Sequence, residues 1–290
     1  MLSPDIEVGC GPPQLAHEIA EVAVWALIEE AELTPKPALV DMRGPGAHRD
    51  LDVERMRRSA RSLRTTFARI FAAAFGHTPS QRLRDELAAI GRAGESAMMR
   101  ATGGSNAHRG AIWSLGLLVA GTAMACDMDF SSIALSAARI AMYPSSSPAD
   151  TVSNGQRVCV QYGVKGARGE AQSGFPHVVR VGLPRLRAGR SRGLSETDAR
   201  LDALMAIMTT LPDTCLLHRG GETALAAAQQ GALQVLQVGG CGTAAGRAAL
   251  DGLHRELLNR YSSPGGSADM LTGVLFLDRL AQVGESLSWK

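Results

Sequence analysis

"LAHEIAEVAVWALIEEAEL" (Leu15–Leu33) is followed at once by "TPKPALVDMRGPGAHRDLD" (Thr34–Asp52). In the first string Leu15, Ile19, Ala23 and Leu27 recur every four residues, which predicts an amphipathic helix over Pro13–Glu32. The second string holds three prolines, two glycines, a Lys, a His and three Asp before helical spacing resumes at Val53. Connections between helices usually need only a few residues, and a long, charge-bearing one more often carries chemistry.

The same 3.6-residue spacing predicts helices over Val53–Phe75, Ser80–Arg100, Ala107–Ala125, Phe130–Met142, Pro148–Val160, Glu196–Met208, Gly221–Val238, Thr243–Tyr261 and Ala268–Gly284. Only "FPHVVRVGL" (Phe175–Leu183) reads as extended, and Gly163–Gly193 reads as a long functional loop. The expectation is an all-α fold: one large multi-helix domain over residues 1–290 with Gly-rich functional loops. Hydrophobic residues make up 45% of the 290 and charged residues 20%, enough for a substantial core. A net charge of +2 gives no basic face for nucleic acid. Neither an N-terminal signal nor an apolar run of membrane length is present, so a cytoplasmic protein is expected. Five dispersed cysteines without a CxxC support neither a zinc site nor a disulfide framework. Small-residue helices such as Ala244–Ala249 pack either within a subunit or between two, which leaves a homodimer open.

Of 30 basic residues only three are Lys, and two of these, Lys36 and Lys165, stand in Gly/Pro-rich segments. A compact ammonium there suits phosphate. Asp50 or Asp52 is expected to cap the helix beginning at Val53. Together with His48 the carboxylates alternatively form a Mg²⁺ site or supply a general base. Glu95 falls beside the apolar stripe Leu83, Leu87, Ile90, Met98 and is either paired with an Arg or used. "TGGSNAHRGAIWSLGLLVAG" (Thr102–Gly121) and "SPGGSADML" (Ser263–Leu271) each place glycines before an apolar helix, where free amides make an anion site. Ser267 reads as an N-cap. Two such loops and two loop lysines suggest a polyphosphate ligand. No Gly-x-Ser-x-Gly supports a covalent hydrolase.

"TPKPALVD", "GAHRDLD", "GESAMMRATGGSNAHRGAIWSLGLL", "GARGEAQSGFPHV", "DTCLLHRGG" and "SPGGSADML", in this order, resemble the triphosphoribosyl-dephospho-CoA synthase family. The resemblance spans Glu32 to Leu277. It implies an all-helical enzyme that transfers the triphosphoribosyl group of ATP to the 2′-hydroxyl of 3′-dephospho-CoA and releases adenine. The product would pass to a carrier-protein transferase as the prosthetic-group precursor of malonate decarboxylase or citrate lyase. "SNAHRGAIW" (Ser105–Trp113) departs from the string expected of citrate-lyase members and leans toward malonate decarboxylase. No fused transferase domain is expected after the last motif.

The roles implied follow. Lys36, Gly103, Gly104, Asn106, Lys165, Arg219, Gly265, Gly266 and Ser267 would hold ATP and its phosphates. Asp41, Asp50, Asp52 and Asp269 would hold Mg²⁺. Glu95 or His48 would be the base, and His108 would protonate the departing adenine. Two other readings stay open: a Mg²⁺-dependent ADP-ribosyl or nucleotide hydrolase, and a nucleotide-binding assembly factor without catalysis.

Overall fold

The computed structural model describes residues 13–125, 129–144, 146 and 153–283. Among them stand thirteen α-helices and one π-helical segment, and no strand. The helices are α1 (Pro13–Glu32), α2 (Val53–Ser62), α3 (Arg64–Ala74), α4 (Gln81–Thr102), α5 (Arg109–Met124), α6 (Phe130–Met142) and α7 (Asn154–Tyr162). After α8 (Gly166–Gln172) and the π-helix His177–Gly182 come α9 (Leu183–Ser191), α10 (Glu196–Met208), α11 (Thr214–Gln237), α12 (Ala244–Asn259) and α13 (Gly265–Val283). The all-α expectation holds.

Two helices organise the rest. Helix α5 is buried along almost its whole length from Ala111 to Ala123, and α13 from Ser267 to Asp278. A helix apolar all round has to be surrounded. These two pack on each other; α1, α3, α4, α6 and α8 complete the casing of α5, and α1, the π-helix, α9, α10 and α11 that of α13. One continuous core runs from Leu15 on α1 to Leu280 on α13. Both central helices begin at the same end of the molecule, beside the Thr34–Asp52 connection, as the contacts described below establish.

The structure corrects several boundaries. Val53–Phe75 is two helices joined at Leu63, whose side chain stays fully buried through the bend. Phe175–Leu183 is not extended: His177–Gly182 winds as a π-helix, and Gly182 lies against Val274 and Ile207, where an added Cβ would stand 2.5 Å from Val274 Cγ2. Its β-branched residues favour a strand locally, and packing overrides that preference. Gly163–Gly193 is mostly helix (α8, the π-helix and α9) rather than a loop. Helix α11 starts seven residues before the predicted Gly221, at Thr214; Gly221, with φ 65° and ψ −163°, is an internal break that only glycine adopts easily. The predicted helix at Pro148–Val160 is found as Asn154–Tyr162, and residues 148–152 lie outside the described residues, as does Gly284.

Candidate functional site

The Thr34–Asp52 connection is fastened to four other parts of the chain. Ser105 Oγ donates to Asp50 O at 2.8 Å, just ahead of α5. Arg219 on α11 donates to Ala47 O at 3.3 Å and to His48 Nδ1 at 3.2 Å. His48 Nε2 lies 3.0 Å from Ser263 Oγ, ahead of α13. Ala38 N donates to His254 Nδ1 on α12 at 3.1 Å. The Gly44–Gly46 turn folds tightly under this platform, since a Cβ at Gly46 would sit 2.4 Å from the carbonyl oxygens of Ala38 and Leu39. The starts of α5, α11 and α13 thus face one long connection.

Lys36 is not a free loop ammonium. It is 1% exposed, and its Nζ donates to Glu30 Oε1 at 2.6 Å and to Glu30 O at 2.5 Å. Glu30 sits on the buried face of α1, so the pair is sealed between helix and connection. The sequence reading passed over Glu30, although its place four residues before Thr34 and three after Leu27 puts it on the apolar stripe.

Asp41 accepts from the amides of Lys36 and Arg43 and pairs with the Arg43 guanidinium at 2.7 Å. Asp52 is the cap of α2, accepting from Arg55 N at 2.8 Å. Asp50 is exposed, and Asp269 lies on α13. The four aspartates therefore do not converge, and no group of three or more His, Cys, Asp or Glu suited to a metal occurs among the described residues. The donor set expected for protein-held Mg²⁺ does not fit.

The amides of both glycine loops are engaged from within the chain. Gly103 ends α4 in the left-handed conformation (φ 68°), and the amides of Gly103 and Gly104 donate to Arg100 O and Met99 O. They are spent on closing a helix. Asn106 Oδ1 accepts from Arg109 N at 3.2 Å and so secures the start of α5. At α13 the amides of Gly266 and Ser267 do bind an anion, but that anion is Asp213, at 3.2 and 2.7 Å. Ser267 lies inside the first turn rather than at the cap, and its hydroxyl donates to Asp213 at 2.9 Å. The same carboxylate accepts from Cys215 N and Leu216 N at the start of α11. Asp213 thus joins two helix N-termini, and a Cβ on Gly266 would stand 2.9 Å from it.

Both histidines of the site are neutral near pH 7. Burial, then the Arg219 charge, lowers His48 from 6.5 to about 4, against a weaker upward pull from Asp50. A guanidinium can only donate, so His48 Nδ1 is the acceptor and Nε2–H points at Ser263 Oγ. With both ring nitrogens engaged, His48 holds Arg219 in place. His108, 3% exposed, is lowered to about 3 by burial and by Lys36. Its Nδ1 lies 2.6 Å from Ser59 Oγ, and its Nε2 is buried with no partner among the described residues. An imidazolium here is disfavoured.

Asp269 is the reactive-looking carboxylate. Its Oδ2 approaches the start of α5 so closely that a Cβ at Gly110 would lie 2.0 Å away. Burial, then the charges of Glu30 and Asp213, raises its pKa well above the ordinary carboxylate value. Glu95 instead pairs with Arg109 Nε at 3.1 Å. Arg219 and Lys165 are exposed, and neither forms an ion pair among the described residues. A further pair, His177 Nδ1 with Glu170 Oε2 at 2.8 Å, received no role from the sequence.

The family model "CitG: ATP:dephospho-CoA triphosphoribosyl transferase" matches residues 16–287. The chain belongs to this family. It is 50% identical over 264 residues to a 2-(5″-triphosphoribosyl)-3′-dephosphocoenzyme-A synthase of Klebsiella pneumoniae, covering 91% of this chain and 94% of that protein. Probable synthases of the same name from Stutzerimonas stutzeri (50% over 270 residues, 92% and 93% covered) and Pseudomonas paraeruginosa (53% over 268 residues, 92% and 92% covered) are similar too. No solved structure gives a significant match. Among the described residues no helix is long and apolar enough to cross a membrane.

Proposed function

We propose that the chain transfers the 5-triphosphoribosyl group of ATP to the 2′-hydroxyl of 3′-dephospho-CoA with release of adenine, and that the product serves malonate decarboxylase. The supporting observation is that an unpartnered, neutral His108 Nε2 and the Asp269 carboxylate that crowds Gly110 both stand at the start of α5. A base works best when its pKa lies near the working pH, and burial beside other carboxylates moves Asp269 in that direction. In this reading Asp269 takes the proton of the attacking 2′-hydroxyl as the bond from that oxygen to C1′ forms. Before it is protonated the Asp269 carboxylate offsets positive charge developing on the ribosyl carbon. The C1′–N9 bond breaks, its electron pair leaves with adenine, which takes up a proton from solvent, and Asp269 returns the hydroxyl proton to solvent. Neutral His108 holds adenine by a hydrogen bond at Nε2. Arg219, fixed by His48 and Ala47 O, and Lys165 take the triphosphate. Glu95, held by Arg109, is a positioning residue near the start of α5.

Magnesium in this reading arrives on the triphosphate, and no step is assigned to it. Malonate decarboxylase is preferred over citrate lyase on the Ser105–Trp113 string alone, and a carrier-protein transferase would consume the product in either case.

The test is incubation with ATP, Mg²⁺ and 3′-dephospho-CoA, following adenine and product mass. Adenine that depends on dephospho-CoA and appears with a triphosphoribosyl adduct supports transfer; adenine or ribose products without the acceptor would overturn it in favour of hydrolysis. Supplying the product with the matching transferase and each carrier subunit, and reading which one gains mass, separates the two pathways.

A further inference from the structure

Between α3, α4 and α5 lies a cavity of about 190 Å³. Ile70 of α3, Leu87 and Ala88 of α4, and Ile112 and Leu117 of α5 give it an aliphatic wall. Arg84 and Glu95 both line it from α4. Eleven helical residues separate these two, about 16 Å at 1.5 Å per residue, so they mark opposite ends.

Arg84 is the anomaly. It is 8% exposed, its Nε is buried without a partner, and no carboxylate or carbonyl accepts from its guanidinium among the described residues. What it touches is the face of Trp113, with the ring centre 4.8 Å away. The surrounding charges do not compensate it. Burial and the neighbouring Arg168 and Arg92 work against its charge, and only Asp85 favours it, itself engaged by Ser146 and Gln81. A buried cation without an anion is costly.

A second observation is independent of charge. Gly91 sits mid-helix in α4, where glycine is unfavourable. Gly94 is explained by Thr66, whose methyl would lie 2.7 Å from an added Cβ. At Gly91 the nearest atom is Ile112 Cγ2 at 3.8 Å, so no protein group demands a glycine there. What its missing side chain leaves open is the cavity.

We propose that this cavity is a binding site for a small carboxylate carried on a short aliphatic chain, its head against Arg84 and its chain along Leu87, Gly91, Ile112 and Leu117. The head is anionic because Arg84 lacks a counter-charge, and a planar carboxylate matches a single planar guanidinium. The chain is apolar because the wall is. Its far end is uncharged, since Glu95, which stands there, already has Arg109 as its partner. An apolar protein cavity of roughly 150 Å³ takes up benzene, so this one has room for about six carbons. ATP and 3′-dephospho-CoA are polyanions far larger than that, and the occupant is an effector rather than a reactant. It reaches the reaction site through α5: Ile112 and Trp113 lie in the opening turns after His108 and Gly110, and Glu95 holds Arg109.

The test titrates the nitrogen-15-labelled full chain with hexanoate, 1-hexanol (the chain without the charge) and acetate (the charge without the chain). The reporter is the indole N–H of Trp113, which lines the cavity and donates to Ala167 O at 3.4 Å. Trp113→Phe identifies its signal among the three tryptophans. Hexanoate is expected to move that signal saturably, with millimolar or tighter affinity. Acetate should bind at least about 30-fold more weakly for want of the chain, and hexanol roughly 10- to 100-fold more weakly for want of the charged hydrogen bond. Arg84→Gln should bring hexanoate down to the level of hexanol and leave hexanol unchanged, which loss of a purely structural arginine would not do. Gly91→Leu fills the cavity on a helix that tolerates leucine; it should abolish binding of both and not lower the melting temperature. No saturable shift with hexanoate, equal binding of hexanoate and hexanol, or unchanged binding in both variants would overturn the assignment. Displacement of hexanoate by ATP or 3′-dephospho-CoA would overturn it too, by making the cavity part of the substrate site.

Discussion

His108 ties stability to pH in a way that can be isolated. In the unfolded chain a histidine takes up its proton near pH 6.5, whereas in the folded chain burial and Lys36 hold His108 to about 3. Between those values the unfolded state binds more protons, so folding is favoured as pH rises. The contribution is complete above pH 6.5 and is lost progressively as pH falls toward 3. Each pH unit in that window is worth about 1.4 kcal/mol, so moving from pH 7 to pH 5 removes roughly 2 kcal/mol from this residue alone. His48, lowered to about 4, adds a similar slope, while Asp213 and Asp269, both raised, pull the other way. The contributions of these groups cancel in a difference. Urea unfolding of wild type and His108→Asn at pH 7 and pH 5 should therefore show the gap between them shifting by about 2 kcal/mol, the variant losing less on acidification. Parallel losses in the two proteins would refute the reasoning, because His108 would then titrate alike folded and unfolded.

Other outcomes follow from the same site. Lys36→Met leaves the Glu30 carboxylate buried and unpaired and should cost about 3–5 kcal/mol in urea unfolding; Lys36→Met with Glu30→Leu should recover much of that, and equal losses in both would remove the pair from the account. Asp213→Ala strips the acceptor from two helix N-termini and should cost about 3 kcal/mol or more, well beyond a single cap; a loss within about 1 kcal/mol would show that water replaces it freely. Asp269→Asn removes a carboxylate that burial, Glu30 and Asp213 all disfavour, so at pH 7.5 it should melt no lower than wild type while turnover falls by at least about 100-fold; retained turnover would take Asp269 out of the chemistry.

The helices were legible because their apolar spacing reports a face and the face reports a core. α1, α6 and α10 begin and end where the pattern does. The π-helix was not legible, since Val178, Val179 and Val181 carry a local preference for strand that only contact with α10 and α13 reverses. At the site, chemistry-bearing residues could be listed but not partnered. Lys36 reads as a loop cation until the buried face of α1 brings Glu30 to it. The glycines before α13 read as a phosphate cradle until Asp213, 53 residues earlier than Gly266, is found against them. Asp52 was readable as a cap because capping is settled within three residues. Contacts within one helical turn are written in the string; those between turns of different helices depend on the whole packing.

The Asp213 plug carries a consequence for selectivity. In a cell rich in inorganic phosphate, nucleotides and carboxylic acids, an open helix start welcomes small anions indiscriminately. Here the peptide ends of α11 and α13 are taken by a resident that cannot diffuse away. On the transfer reading proposed above, a polyphosphate would be recognised by side chains on long stems, Arg219 and Lys165, which answer to the spacing of its charges rather than to charge alone. On that reading selection is by chain length: a lone phosphate would satisfy one of these arms, while a triphosphate would have the length to engage more than one.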